Sequence, residues 1–525
     1  MGRVPRRLAG SDLPRETWLE RPRPQGGLGT TAVRGVSWTL LGSWSGAAVQ
    51  IATTVVLARL LTPRDFGLMA MALTLTVLVT QFRQLGLSQA VVQRVDLRWE
   101  QVNALFWVNA LAGVVLAALV AASGVPLAAF YSEPALVPIC LALGAGFVVS
   151  GLSVQHGALL NRAMQLRRIA LRNLSAGVIS SVAAIVAALA GLGVWALVVQ
   201  NVSALVLATV FNWTAVPWRP ARPRQLRAAL PLLAFGAHVS VANMFHTIAR
   251  QADNIVIGRF LDSDALGLYT RAYSLLMLPL TQLKTPVQAV MVPTLAALQE
   301  EPDRYRKAYR VAISGLAHLG MPVVVLLSVS AHELIDVMLG AQWSGAAPIF
   351  QCLALAGFIQ LVSTTTGWIY TSTGRGRAYA TWAVVSGVVT VAGFAVGVRW
   401  GALGVAASYA LTQLLLVVPA FVYACRDTPV APRDPLRAAA RPAVVAVGVL
   451  AAALGARTLV VDEVSSVLTL LVVVLSGALV WGVLMAGWSG ARAELVALVR
   501  LVRRGRSAGR AARGATAATG RGGTA

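Results

Sequence analysis

Residues 102–123 read "VNALFWVNALAGVVLAALVAAS", a stretch without a single charge. At 1.5 Å of rise per residue it makes about 33 Å of helix, enough to cross ~30 Å of hydrocarbon. Runs of this kind recur along nearly the whole chain, at about 36–58, 66–92, 102–123, 135–160, 172–190, 193–213, 228–249, 265–297, 311–330, 347–371, 378–397, 402–424, 441–456 and 464–487. Nothing else in the sequence restricts the fold as strongly. With 57% hydrophobic and 12% charged residues, against roughly 25% charged in a soluble domain, the chain lacks the residues for a water-facing surface of ordinary size. It reads as an all-α polytopic membrane protein of about fourteen transmembrane helices.

The net charge of +24 would point to nucleic acid in a soluble chain. Here its placement gives another reason. Of the 44 Lys and Arg, 35 fall in the two tails and in alternate connections. The opposite connections hold Arg59, Arg64, Arg250, Arg259, Arg399 and Arg457, and only Arg83, Arg271 and Lys284 stand inside apolar runs. This is the positive-inside pattern, which puts both termini in the cytoplasm and makes nucleic acid no partner. The basic tail 1–32 has no apolar core and is no signal peptide. The tail 488–525 is basic and ends in the low-complexity run 505–525, which reads as disordered. Within it "ARAELVALVRLVRRGR" is a stop-transfer flank or a basic amphipathic helix on the inner leaflet. Cys140, Cys352 and Cys425 lack metal-ligand spacing, so no metal or cofactor is expected.

Two short segments repeat. "LARLLTPRDFGL" (57–68) and "IGRFLDSDALGL" (257–268) share Arg59/Arg259, Leu61/Leu261, Gly67/Gly267 and Leu68/Leu268 at one offset of 200. Ala72, Leu75 and Leu78 match Ala272, Leu275 and Leu278, and "SQAVV" (88–92) resembles "VQAVM" (287–291). "GLGVWAL" (191–197) and "ALGVAAS" (402–408) close the two halves. The chain therefore divides into a six-helix lobe at 33–213, a second at 226–424 and an additional helix pair at 437–487. An even number of spans per lobe makes the repeats parallel, related by an axis along the membrane normal. Gly67 and Gly267 are expected to serve a sharp turn or a close helix approach.

The stretches 56–94, "VLARLLTPRDFGLMAMALTLTVLVTQFRQLGLSQAVVQR", and 251–280, "QADNIVIGRFLDSDALGLYTRAYSLLMLPL", resemble the oligosaccharide/polysaccharide flippase family. This family belongs to the multidrug/oligosaccharidyl-lipid/polysaccharide superfamily, and the resemblance covers about residues 30–425. It implies two lobes around a central cleft in a bacterial plasma membrane. It also implies a cargo, a polyprenyl-pyrophosphate-linked oligosaccharide moved from the inner to the outer leaflet. Glycosyltransferases or a polymerase of the same pathway are the implied partners, beside membrane lipids.

A flippase makes no bonds; it needs cations for a pyrophosphate and polar or aromatic groups for sugars. A Lys or Arg at a helix centre costs ~2.5–3.5 kcal/mol, so Arg83, Arg271 and Lys284 are the candidate cavity cations. The resemblance adds that Arg271, in "GLYTRAYSLLMLP", matches an Arg of the family's Tyr-x-x-Ala stretch. Snorkelling to headgroups is the other reading of Arg271. Arg83 stands eleven residues from Arg94, about 16 Å of helix, which is too deep for easy snorkelling. Lys284 matches Arg83 at an offset of 201, so the two are expected at similar depth facing one cleft. Arg59 and Arg259 either contact cargo or pair with Asp65, Asp262 or Asp264. Tyr370, with Thr365, Thr366, Thr371 and Ser372, is the best candidate for sugar contacts.

Two other functions are weaker. A cation-coupled drug exporter needs a buried carboxylate, and spans 1–6 contain no Asp or Glu. A polymerase or ligase needs a sizeable outer loop, and the longest outer connection, 331–346, offers only His332, Glu333 and Asp336. No catalytic residue is expected.

Overall fold

The computed structural model describes residues 28–83, 98–222, 250–460 and 464–494, with the single positions 91, 247 and 496. Among them the backbone forms eighteen α-helices and no strand. The chain divides between Arg259 and Phe260 into two compact units. The first holds α1 (Leu28–Leu60), α2 (Pro63–Arg83), α3 (Trp99–Ala122), α4 (Gly124–Tyr131), α5 (Leu136–Gly151), α6 (Val154–Arg162), α7 (Leu166–Leu189), α8 (Val194–Ala215) and nearly all of α9 (Ala252–Phe260). The second holds α10 (Ser263–Ala297), α11 (Pro302–Val329), α12 (Ala331–Leu339), α13 (Ala346–Ser363), α14 (Thr366–Ser372), α15 (Gly376–Gly397), α16 (Gly401–Ala424), α17 (Arg433–Val460) and α18 (Ser466–Gly487).

Ten stretches among the described residues are long and apolar enough to cross a membrane, or eleven if α5 and α6, bent by 45°, form one broken span. Each expected span but the seventh meets a helix or a bent helix pair. The seventh, 228–249, lies outside the described residues, as do most of both tails and the "SQAVV" segment. The exposed faces of α7, α15 and α18 carry many Val and Leu side chains, among them Val182, Val186, Val388, Leu475 and Leu479. In water such faces would be costly; in hydrocarbon they are the solvent-matched surface.

The repeated segment is a helix break with a cap. α1 ends at Leu60 and α2 starts at Pro63; α9 ends at Phe260 and α10 starts at Ser263. Between them Thr62 and Asp262 occupy the capping position, where a short polar side chain meets the orphan N–H groups of a helix start. Asp65 accepts from the backbone N–H of Thr62 at 2.9 Å, and Asp262 accepts from the Ala265 N–H at 2.7 Å. Gly67 and Gly267 are buried inside the helices and are not among the glycines with positive φ. The expected turn thus belongs to Leu61–Thr62 and Leu261–Asp262 rather than to the glycines.

The packing pattern repeats as well. In the first unit α2 packs on α3, α5 and α8, α3 on α5, α5 on α8, and α7 on α8. In the second α10 packs on α11, α13 and α16, α11 on α13, α13 on α16, and α15 on α16. The closing echo keeps its sequence but not its place. Gly193 is the residue before α8, at φ 54°, and a Cβ there would stand 3.1 Å from Asp65 Oδ1. Its partner by sequence, Gly404, lies inside α16, where a Cβ would collide with the Gly397 carbonyl oxygen. One glycine permits a left-handed turn and the other a close helix crossing.

The additional helices α17 and α18 pack on α11 and α12 of the second unit. Polar bonds hold them at several points. Arg306 grips Asp434 through Nε at 2.5 Å and Nη2 at 2.8 Å. Arg457 Nε reaches Glu333 at 2.8 Å, Ser466 donates to Asp336 at 2.7 Å, and Trp481 Nε1 donates to the His318 carbonyl at 3.1 Å. Glu333 and Asp336, the carboxylates of the longest expected outer connection, are thereby structural anchors.

Candidate functional site

The start of α10 positions the first candidate. Asp262 fixes the helix origin, and Leu266, Tyr269, Ala272, Leu276 and Leu280 form its buried face. Gly357 of α13 lets that face approach: a Cβ on it would stand 3.1 Å from Leu280 Cδ1. Arg271 borders this face, half-buried, with its Nε enclosed. It stands eight residues after Ser263, about 12 Å along the helix axis. Of Arg83, Arg271 and Lys284 it stands nearest the capped start of its helix.

Lys284, also half-buried, stands 21 residues after Ser263, about 32 Å along the axis. Pro279 and Pro286 flank it, and with Pro293 they space three missing N–H donors by seven residues along one side of α10. Arg83 is the last described residue of α2, 20 residues after Pro63, or about 30 Å. Its side chain lies outside the described part of the structure. Counted from the capped ends, both positions lie about one hydrocarbon thickness away, and an ordinary tilt of ~20° shortens this only slightly.

Arg59 and Arg259 are exposed at the ends of α1 and α9. The Arg259 guanidinium lies 5.4 Å from the Phe130 ring centroid, a cation–π distance. Tyr370 is 1% exposed and stacks on Tyr379 with ring centroids 5.3 Å apart. The hydroxyls around it bond within the unit: Tyr309 to Thr365 at 2.9 Å and Tyr305 to Ser372 at 2.7 Å. The polar stretch around Tyr370 therefore joins α11 to α14 and to the break before it.

Asp253, expected in a connection as the local ion-pair partner of Arg250 one helical turn away, lies on α9, seven residues before its end, and is 9% exposed. The offset of 200 contains the signal: it aligns Asp253 with Thr53, which is buried within α1 and bonds to the Val49 carbonyl at 2.7 Å. His156 and His318 are both fully buried. His156 stacks on Trp213 with centroids 4.5 Å apart, and His318 Nδ1 meets the Ser314 carbonyl at 2.9 Å. His238 and His246 lie outside the described residues. Among the described residues no three His, Cys, Asp or Glu side chains converge as a metal site.

The fold is shared with proteins of known structure. The lipid II flippase MurJ in an inward closed conformation superposes with a TM-score of 0.66 at 12% identity, over 85% of this chain and 97% of that one. An inward-facing multidrug resistance MATE family transporter of the MOP superfamily superposes at 0.59 with 16% identity, over 72% and 93%. In sequence the chain is 26% identical to the teichuronic acid biosynthesis protein TuaB of Bacillus subtilis (strain 168), over 65% of this chain and 71% of TuaB. It is 22% identical to the lipopolysaccharide biosynthesis protein WzxC of Escherichia coli (strain K12), over 73% and 78%. It is 27% identical to the succinoglycan biosynthesis transport protein ExoT of Rhizobium meliloti (strain 1021), over 71% and 76%. Residues 56–348, which hold both copies of the capped helix break and Arg83, Arg271 and Lys284, match the family described as polysaccharide biosynthesis protein, and the chain belongs to that family.

Proposed function

We propose that this protein is a flippase that moves a polyprenyl-pyrophosphate-linked oligosaccharide from the inner to the outer leaflet by alternating access, for the synthesis of a cell-surface polysaccharide. The observation that carries the reading is Arg271, a guanidinium about 12 Å down a membrane-crossing helix, where a cation costs ~2.5–3.5 kcal/mol without a role. Its planar fork suits a phosphate oxygen pair. Lys284 and Arg83, about 30 Å along their helices from the capped starts, would meet the pyrophosphate on entry from the inner leaflet. The relatives named for teichuronic acid, lipopolysaccharide and succinoglycan support the cargo class.

In this reading the lobes 33–213 and 226–424 rock against one another, while the pair 437–487 rides on the second. The protein sits in a bacterial plasma membrane with both basic tails in the cytoplasm, next to the glycosyltransferases or polymerase of its pathway. It forms and breaks no covalent bond: Glu333 and Asp336 are held by Arg457 and Ser466. Deleting the gene tests the proposal. A lipid-linked sugar accumulating on the cytoplasmic leaflet is the expected result.

Asp253 favours one second reading. A buried carboxylate, as Asp253 is on the nine-residue helix α9, is what a cation-coupled drug exporter requires. In that case the deletion strain gains sensitivity to cationic dyes and accumulates no sugar lipid.

A further inference from the structure

In each unit two arginines close the end of a helix hairpin. Arg168, near the start of α7, donates through Nη1 to the Ala215 carbonyl in the last turn of α8 at 3.1 Å. Arg375, just before α15, does the same to the Ala424 carbonyl of α16 at 3.1 Å. A second arginine then folds back over an aromatic ring of that last turn: Arg219 over Trp213 at 5.4 Å, and Arg426 over Tyr423 at 5.6 Å. Helix C-termini attract cations, which accounts for one guanidinium per hairpin. It does not account for the surplus charge in the first unit.

There Arg219 Nη1 meets the carbonyls of Trp213, Val216 and Trp218 at 3.0–3.1 Å. Arg168 and Arg219 each use only Nη1, so Nε and Nη2 of both have no acceptor among the described residues. Arg167 and Arg222 are exposed in the adjoining segments. None of the ion pairs among the described residues involves Arg168 or Arg219. Asp65 and Glu133 are engaged elsewhere, with Thr62 and Arg64. From this basic end an exposed apolar stripe runs along α7 through Leu171, Val178, Val182 and Val186, beside Val206 and Val210 of α8.

We infer that the basic end of the α7–α8 hairpin is a binding site for the phosphate of an anionic phospholipid, whose acyl chains lie along the α7 stripe. By the positive-inside pattern this end faces the cytoplasmic leaflet, at headgroup level. The free Nε and Nη2 donors of Arg168 and Arg219 take the phosphodiester oxygens, and Arg167 and Arg222 add charge. The Arg–carbonyl bonds hold both guanidiniums in place before a lipid arrives.

The test is lipid binding to the purified, delipidated full chain, read by native mass spectrometry. Phosphatidylglycerol and phosphatidylcholine of the same acyl composition are compared. Wild type should prefer phosphatidylglycerol, and Arg219→Gln, at an exposed position, should lower that preference about fivefold, the contribution of one juxtamembrane basic residue. Arg168→Gln with Arg219→Gln should abolish it, while Arg64→Gln, at the other end of the unit, should leave it intact. No preference in wild type, or one that survives the double substitution, overturns the assignment. Displacement of phosphatidylglycerol by an equal amount of undecaprenyl pyrophosphate would also overturn it, by giving the site to the carrier lipid.

Discussion

Asp65 and Thr62 hold each other at the start of α2: one carboxylate oxygen accepts both the backbone N–H and the hydroxyl of Thr62, each at 2.9 Å. The Asp65 N–H turns back to the Thr62 hydroxyl at 3.4 Å. This is a reciprocal capping box, with Pro63 at the first helical position. Two hundred residues later Asp262 starts α10 with a simpler cap. The repeated segment is therefore a device for ending one span and starting the next at a fixed residue. Fixing that residue fixes the depth of everything downstream on the helix, Arg271 included.

If the caps set the helix origins, Thr62→Val and Asp262→Val should each destabilise the protein by ~1 kcal/mol, the usual size of a lost N-cap. Thr62→Ser and Asp262→Asn should keep most of that. Thermal unfolding in detergent gives the comparison. Valine variants as stable as wild type would show that the two breaks are held by packing alone.

Arg271 should separate charge from geometry. Arg271→Ala should abolish polysaccharide export while the protein stays in the membrane at its normal level. Arg271→Lys should retain part of the activity, because it keeps the charge and loses the two-pronged donor. Wild-type export by the alanine variant would make Arg271 a snorkelling residue.

Orientation has its own check. In a background without native cysteines, Ser132→Cys, exposed after α4, should react with an impermeant thiol reagent in intact cells. Arg222→Cys, exposed after α8, should react only after the membrane is opened. The reverse labelling would invert the topology.

Much of this fold is written in the sequence in two forms. Apolar run length located the helices, because a span in hydrocarbon has to be long and uninterrupted. The 200-residue offset located the repeated helix break, because Thr62 and Asp262 do one job with different side chains flanked by the same Arg, Leu and Gly. The sequence reading weighed the glycines and overlooked the caps between them, although Ser, Thr, Asp and Asn before an apolar helix are cap signals. Asp253 was expected in a connection because charge ends an apolar run, whereas it is buried on α9. Tyr370 and its hydroxyl-rich surroundings were legible as polar, but a sequence does not reveal that Tyr305 and Tyr309, over 50 residues upstream, engage those hydroxyls. Pairings across that distance are products of packing.

The central claim is that the protein carries lipid-linked sugar across a bilayer, and purified protein in liposomes tests it most directly. The liposomes contain lipid-linked oligosaccharide from the host, labelled on its sugar with a fluorophore, and an impermeant quencher is added outside. The account predicts that protein-free liposomes lose only the outer-leaflet signal, that wild-type protein exposes the inner-leaflet pool as well, and that Arg271→Ala behaves like empty liposomes. An inner-leaflet pool that stays protected with wild-type protein, across the lipid-linked sugars of the host, would contradict it.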